Sequence, residues 1–341
     1  MKKVLIIGNM GYIGPLVKDQ LLNNRTDYIL EGFDLGLFGH CLFGASSLPE
    51  ISLKKQYFGD VRKFPAEILQ GIDSVIYLAA ISNDPMGKEF ETLTHEINHQ
   101  ACFEIAKQAK ERGVRNFVLA SSCSVYGAGG TEAKKETDPI APLSAYAVSK
   151  VEAEKSLQTI ADSNFIVTCL RFATACGDSP RLRLDLILND FVATAILKNE
   201  ISILSDGTPL RPLIHVKDMS RALEWGINRE SKDGTHFLVL NAGSNRWNFS
   251  VLELANLVSE VLGGVKISIN KEAPPDKRSY KVNFDLFESL AGNFACKEDI
   301  RETILHLAES IKKSGFNQKD FYQSDLIRLN VLRKMRAKNI I

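Results

Sequence analysis

The sequence predicts an α/β fold: a doubly wound parallel sheet with a smaller, mixed α/β lobe following it. Three observations carry that expectation. Short apolar runs rich in β-branched residues recur along the first half, as strands buried on both faces do. Amphipathic helical stretches separate them, the pattern of right-handed crossovers between parallel strands. A glycine turn, Gly8-Asn9-Met10-Gly11-Tyr12-Ile13-Gly14, joins the first run to the first helix.

The elements follow in order. Residues 4–7 are the first strand, 12–23 the first helix, and 28–33 the second strand, closed by Asp34. Residues 74–78 form another strand, 90–112 a long helical stretch, 117–120 a strand, 145–161 a helix and 165–170 a strand. From about Arg171 the alternation weakens. Loops rich in Gly, Pro and Asp are expected at 177–180, 206–212 and 273–276, with helices near 184–198, 250–262, 299–313 and 319–337. The chain thus divides into a Rossmann-type unit over 1–170 and a lobe over 171–341 that holds mainly the substrate, with strands and helices partly shared.

Composition excludes several classes. Of 341 residues, 45% are hydrophobic and 24% charged, which suits one large or two closely packed globular units. A net charge of +1 creates no bulk field to recruit nucleic acid or a membrane surface. No apolar run reaches the roughly 18 residues that span a bilayer, and the sequence opens on a strand, so a cytoplasmic protein is expected. The basic stretch Arg328, Arg333, Lys334, Arg336 and Lys338 reads as a solvated helix face. Six cysteines form no CxxC pair and none stands near a histidine at ligand spacing, so reduced thiols and no metal are expected.

The glycine turn has the setting of a dinucleotide site. Glycine is needed where φ is positive and where backbone must approach a phosphate closely. The helix N-terminus beyond it offers free N–H groups and a partial positive charge to a pyrophosphate. The spacing is GxxGxxG, with Tyr12 and Ile13 inside the turn. Asp34 lies twenty residues beyond Gly14, where a carboxylate accepts from both adenine-ribose hydroxyls and repels a 2′-phosphate. Residues 35–42 contain no lysine or arginine, so NAD is expected rather than NADP. Asp60 and Val61 are expected at the adenine. Leu78, Ala79 and Ala80 are expected against the nicotinamide ribose, where small residues let it lie on backbone.

Tyr146 and Lys150 stand four apart at the start of a helix, hence on one face. An ammonium beside a phenol favours the phenolate and so a working acid/base. Ser121-Ser122-Cys123-Ser124-Val125-Tyr126-Gly127 ends the preceding strand. Ser122, or failing it Ser124, is placed to hydrogen-bond a reacting oxygen. Cys123 reads as a small packed residue, because hydride chemistry needs no thiol.

These motifs resemble the extended short-chain dehydrogenase/reductase family, in its nucleotide-sugar epimerase and dehydratase branch. The resemblance runs from Lys3 to about Arg278. It also covers Leu170-Arg171-Phe172 and Arg211-Pro212-Leu213-Ile214-His215-Val216-Lys217-Asp218. It implies that Tyr146 is the acid/base, Lys150 its electrostatic partner and Ser122 the family's Ser/Thr. It implies Asn98, Ser121 and Phe172 at the cofactor, alongside the residues above. On the substrate side it implies Ser82, Ser124, Thr174 and Asn189, with Arg211 and Arg278 clamping a nucleotide diphosphate. The related 4,6-dehydratases place Asp and Glu after the Ser/Thr. Here Cys123 and Ser124 stand there, which argues against dehydration. Thr174 replaces the usual asparagine after the sixth strand, and Pro212 the acidic residue after the clamp arginine.

The expectation is therefore an NAD-dependent nucleotide-sugar 4-epimerase working through a transient 4-keto sugar. The alternative is a dehydrogenase or keto-reductase on a GDP-, dTDP- or UDP-linked hexose or heptose. A non-catalytic NAD-sensing protein is disfavoured by the intact Ser122, Tyr146 and Lys150. A homodimer is expected, because residues 90–112 and the helix at Tyr146 carry apolar side chains on more than one face (Ile97, Ala101, Phe103, Ile105; Val148, Val151, Leu157).

Overall fold

A computed structural model describes residues 1–23, 27–231, 235–270, 272 and 279–341. β1 (Lys2–Ile7) enters α1 (Gly14–Leu22) through the glycine turn, and β2 (Tyr28–Asp34) and β3 (Lys55–Phe58) follow. β4 (Ser74–Tyr77) leads into α2 (Asp84–Glu89), α3 (Glu91–His95) and α4 (Cys102–Glu111); a π-helical turn, Glu96–Ala101, joins the last two. Next come β5 (Asn116–Ser122), β6 (Ala128–Lys134), α5 (Ala145–Gln158), β7 (Ile166–Phe172) and β8 (Thr174–Cys176).

The second half continues with α6 (Ile187–Lys198), β9 (Glu200–Ile203), β10 (Leu210–His215), α7 (Val216–Asn228), β11 (Phe237–Ala242), β12 (Asn248–Ser250) and α8 (Val251–Val261). It ends with β13 (Lys266–Ile269), β14 (Ser279–Val282), α9 (Asp285–Ala291), α10 (Ile300–Lys313) and α11 (Arg328–Ala337).

Seven parallel strands form the main sheet in the order β11-β7-β5-β4-β1-β2-β3. The order reverses between β1 and β4, and a crevice opens there at the carboxyl ends of the strands. Alternation along β1 feeds two cores. Val4 and Ile6 pack with Val17, Leu21, Ala222, Leu223 and Ile227, under α1 and α7. Leu5 and Ile7 pack with Cys102, Ile105, Ala106, Ala153 and Leu157, under α4 and α5. A further core of Leu188, Val192, Leu213, Trp247, Leu254, Ile304 and Leu307 holds the smaller lobe. That lobe contains the small sheets β12-β10-β8 and β13-β9, while β14 reaches back to pair with β6.

The sheet extends beyond residue 170, since β11 pairs with β7 and α7 covers the adjoining face. Neither α7 nor β11 was expected from periodicity. The helix foreseen over 319–337 starts at Arg328, after a 3-10 turn at Phe321–Gln323. Arg328 is not on a solvated face. It is buried and donates to the carbonyls of Arg181, Leu182 and Asp325. Leu332 packs against Ile81, Met86 and Phe90, and Arg333 and Arg336 pair with Glu89, so α11 is fastened to α2. The loop foreseen at 273–276 lies outside the described residues. Among the described residues no helix is long and apolar enough to cross a membrane.

Candidate active site

A cavity of about 850 Å³ runs along the carboxyl ends of the central strands and is closed on the far side by the smaller lobe. Its volume falls in the range of sites that enclose sizeable ligands. At one end lies the glycine turn. Gly8 has φ +88°, and a Cβ there would come within 2.4 Å of the Ala79 nitrogen. Gly8, Gly11, Tyr12 and Ile13 line the cavity. Gly14 does not; a Cβ on it would sit 1.9 Å from the Asn9 carbonyl oxygen, so its role is to let helix and turn pack.

Asp34 lies at the tip of β2 and lines the cavity. The backbone N–H groups of Met10 and Gly36 donate to its two oxygens at 2.9 and 2.7 Å. Burial pushes its carboxyl up, and these two donors act against that rise. Asp60 and Val61 line the same end, as do Leu78, Ala79 and Ala80. The Asp60 carboxylate also accepts from the Arg62 backbone and guanidinium.

Ser122 ends β5, and its Oγ accepts from the Ser124 N–H at 3.1 Å. α5 begins at an N-cap, Ser144, whose hydroxyl accepts from the Ala147 N–H. Tyr146 and Lys150 project from that first stretch of α5 into the cavity. Burial pushes the Tyr146 phenol up to about 12, and the adjacent Ser122 hydroxyl pulls it the other way. Burial pulls the Lys150 ammonium down to about 8. Its Nζ lies 5.8 Å from the centre of the Tyr146 ring. Cys123 lies outside the cavity lining: its buried thiol donates to the Arg171 carbonyl at 3.0 Å, and burial pushes its pKa up.

Beneath the site runs a buried network that the sequence reading missed. The Ser121 hydroxyl donates to Glu154 at 2.5 Å, and Arg171 grips both oxygens of Glu154. Arg171 also donates to the Tyr126 hydroxyl, which donates to Asn241 Oδ1 at 2.7 Å. Ser121 therefore lines the cavity with its hydroxyl turned back into the protein.

At the other end Ser82, Ser124, Phe172, Thr174 and Arg211 line the cavity with Tyr280 and Phe191. The Ser124 hydroxyl is buried and unpartnered there. Arg183 was also missed. It donates to Ser82 Oγ at 2.9 Å and to both oxygens of Asp185. The repeat Arg181, Arg183, Asp185 in one short loop was the available signal.

Two expected residues sit behind the cavity instead of on it. Asn98 accepts from the Ile81 N–H and donates to the Ile81 carbonyl and Ser149 Oγ, so it braces the segment after β4. Asn189 accepts from the Gly177 N–H and donates to the Arg183 carbonyl and Tyr12 Oη. With oxygen and amide both engaged, neither side chain has an obvious free group to offer a ligand. Arg278 lies outside the described residues.

The remaining residues suit a dinucleotide. A glycine cradle leaves no space for a Cβ, and the Asp34 carboxylate and the Lys150 side chain line the same cavity. α11 flanks the end of the cavity that holds Asp34, where Arg328, Leu329 and Leu332 line it beside Leu37 and Phe38.

The family model "NAD dependent epimerase/dehydratase family" matches residues 4–243. An uncharacterized UDP-glucose epimerase of Bacillus subtilis is 26% identical over 270 residues, covering 76% of this chain and 82% of that one. A UDP-glucose 4-epimerase of Halalkalibacterium halodurans is 26% identical over 284 residues, 76% of this chain and 80% of its own. Among solved structures, MoeE5 in complex with UDP-glucose and NAD is 27% identical, with a TM-score of 0.77 over 92% of this chain and all of that one. UDP-glucuronic acid 4-epimerase from Bacillus cereus shares the fold, with a TM-score of 0.75 at 22% identity over 91% of this chain and 99% of its own.

Proposed function

The chain belongs to the NAD dependent epimerase/dehydratase family, and from that premise we propose that it is a nucleotide-sugar 4-epimerase acting through a transient 4-keto sugar. It is an NAD-dependent enzyme of nucleotide sugars. The observation that carries the finer reading is Ser122, Tyr146 and Lys150 facing one cavity with no carboxylate at Cys123 or Ser124 to eliminate water.

Tyr146 takes the proton of the sugar's C4 hydroxyl, and Ser122 hydrogen-bonds the same oxygen. NAD, when bound, would supply the hydride acceptor and donor and a positive charge. The Lys150 ammonium adds a second positive charge near the ring, and together these favour a phenolate that burial alone opposes. Once the keto sugar has presented its other face, Tyr146 returns the proton to the oxygen. No net oxidation results. Arg211 holds the diphosphate, and the unpartnered Ser124 hydroxyl meets the sugar. Arg278 is assigned to the same clamp by family resemblance alone.

Two copies are proposed to pair through the surface of α4 and α5. Of the residues that prompted this, Ala101, Ile105, Val151 and Leu157 are buried within the chain, while Val148 is exposed. Sedimentation showing only monomer at micromolar concentration overturns the pairing.

The functional test follows C4 stereochemistry by NMR with UDP-, dTDP-, GDP- and CDP-linked hexoses. Interconversion of C4 epimers without net NADH is expected. NADH formed in step with sugar consumed makes the enzyme a dehydrogenase. Equal turnover of a free hexose overturns the nucleotide-sugar reading.

A further inference from the structure

A cluster on the outer face of the helices lies apart from the cavity. His95 ends α3, His99 stands one turn on within the π-helical turn, and Glu152 projects from α5, two residues after Lys150. One oxygen of Glu152 is 2.9 Å from His95 Nδ1 and 3.5 Å from His99 Nδ1. The three residues offer donor atoms that all lie within 4.8 Å of one another. None of the three lines the cavity.

We propose that His95, His99 and Glu152 form a binding site for a zinc-type divalent cation that ties the π-helical turn to α5.

Several features support it. The donor set, two imidazoles and one carboxylate, is one that Zn²⁺ takes readily. Ligands about 2.0–2.2 Å from a tetrahedral ion stand roughly 3.3–3.6 Å apart, so the separations from Glu152 need only small adjustments. The second nitrogen of His99 is held by Ser156 Oγ at 2.9 Å, the kind of outer partner that fixes a ligating imidazole. Its first nitrogen, Nδ1, is buried, has no hydrogen-bond partner and faces the carboxylate. The His95 and His99 rings meet edge to face, 5.0 Å apart at 70°, which leaves their nitrogens free to converge on an ion. In the single chain the side chains of His95 and Glu152 are 43% and 38% exposed, so an ion can reach the cluster before two copies pair through this face. The π-helical turn adds a residue to the local helical path, a distortion that often accompanies a functional site.

Metal-stripped, untagged full-length protein titrated calorimetrically with ZnCl₂ tests this. One Zn²⁺ per chain is expected, with a rise in the thermal midpoint. Co²⁺ in its place is expected to give the visible absorption of a tetrahedral or five-coordinate N/O site. His95→Ala, His99→Ala and Glu152→Gln should each weaken binding by roughly tenfold or more and remove the thermal shift. All three side chains are at least partly exposed, so the variants should fold; their far-UV circular dichroism checks this. Absence of binding, half an ion per chain, or unchanged binding in the His95→Ala/His99→Ala double variant overturns the proposal.

Discussion

Lys150 shows how the site trades stability for chemistry. The Lys150 side chain is buried, and burial has pulled its pKa to about 8. Between that value and the ordinary lysine range, the folded chain has shed a proton that the unfolded chain retains. The unfolded state binds more protons there, so this group makes the ligand-free protein more stable as pH rises through the window. Lys150→Met should raise the apo thermal midpoint at pH 7 while abolishing turnover, measured by calorimetry and the epimerase assay; an unchanged or lower midpoint rejects the account. Tyr146→Phe should lower turnover by on the order of 10²–10⁴ with little effect on NAD binding. Cys123→Ala should keep substantial activity, because the thiol is packed against the Arg171 carbonyl and away from the cavity. Arg211→Ala should weaken competitive binding of nucleoside diphosphates by about one to two decades, the loss of one charge-assisted contact.

Elements built from local signals were readable in the sequence. β1, the glycine turn and β2 follow from an apolar run, three glycines and a terminal aspartate, all set by nearby residues. α7 was equally readable. Val216, Met219, Ala222, Leu223, Gly226 and Ile227 recur at helical spacing and are all buried, in a stretch that overlaps the motif ending at Asp218. Asn98 and Asn189 were a different case. Residue type and position matched the family, yet the direction each amide takes is set by Ile81 and by Gly177 and Arg183, partners remote in sequence. The Glu154–Arg171 pair is hidden likewise, because only the pairing of β5 with β7 brings Ser121 and Arg171 side by side.

For the whole molecule, the cofactor-binding sheet draws on both halves of the sequence. A fragment ending at residue 170 lacks β11 and α7, which leaves β7 as an open edge and uncovers Val118 and Leu170. Such a fragment should not show cooperative unfolding by circular dichroism, whereas the full chain should. Ending the chain at residue 327 removes α11 and one wall of the cavity, and should weaken NAD by roughly a decade or more in a titration.

The placement of α11 also has a temporal consequence. The glycine turn leaves the ribosome well before Arg328, Leu329 and Leu332, which line the cavity beside Phe38. A nascent chain that has completed the sheet through β11 still lacks this wall of the pocket. Full-strength cofactor capture should therefore follow the synthesis of α11, and a translation arrest before it should leave a protein with its sheet largely formed and one cavity wall missing.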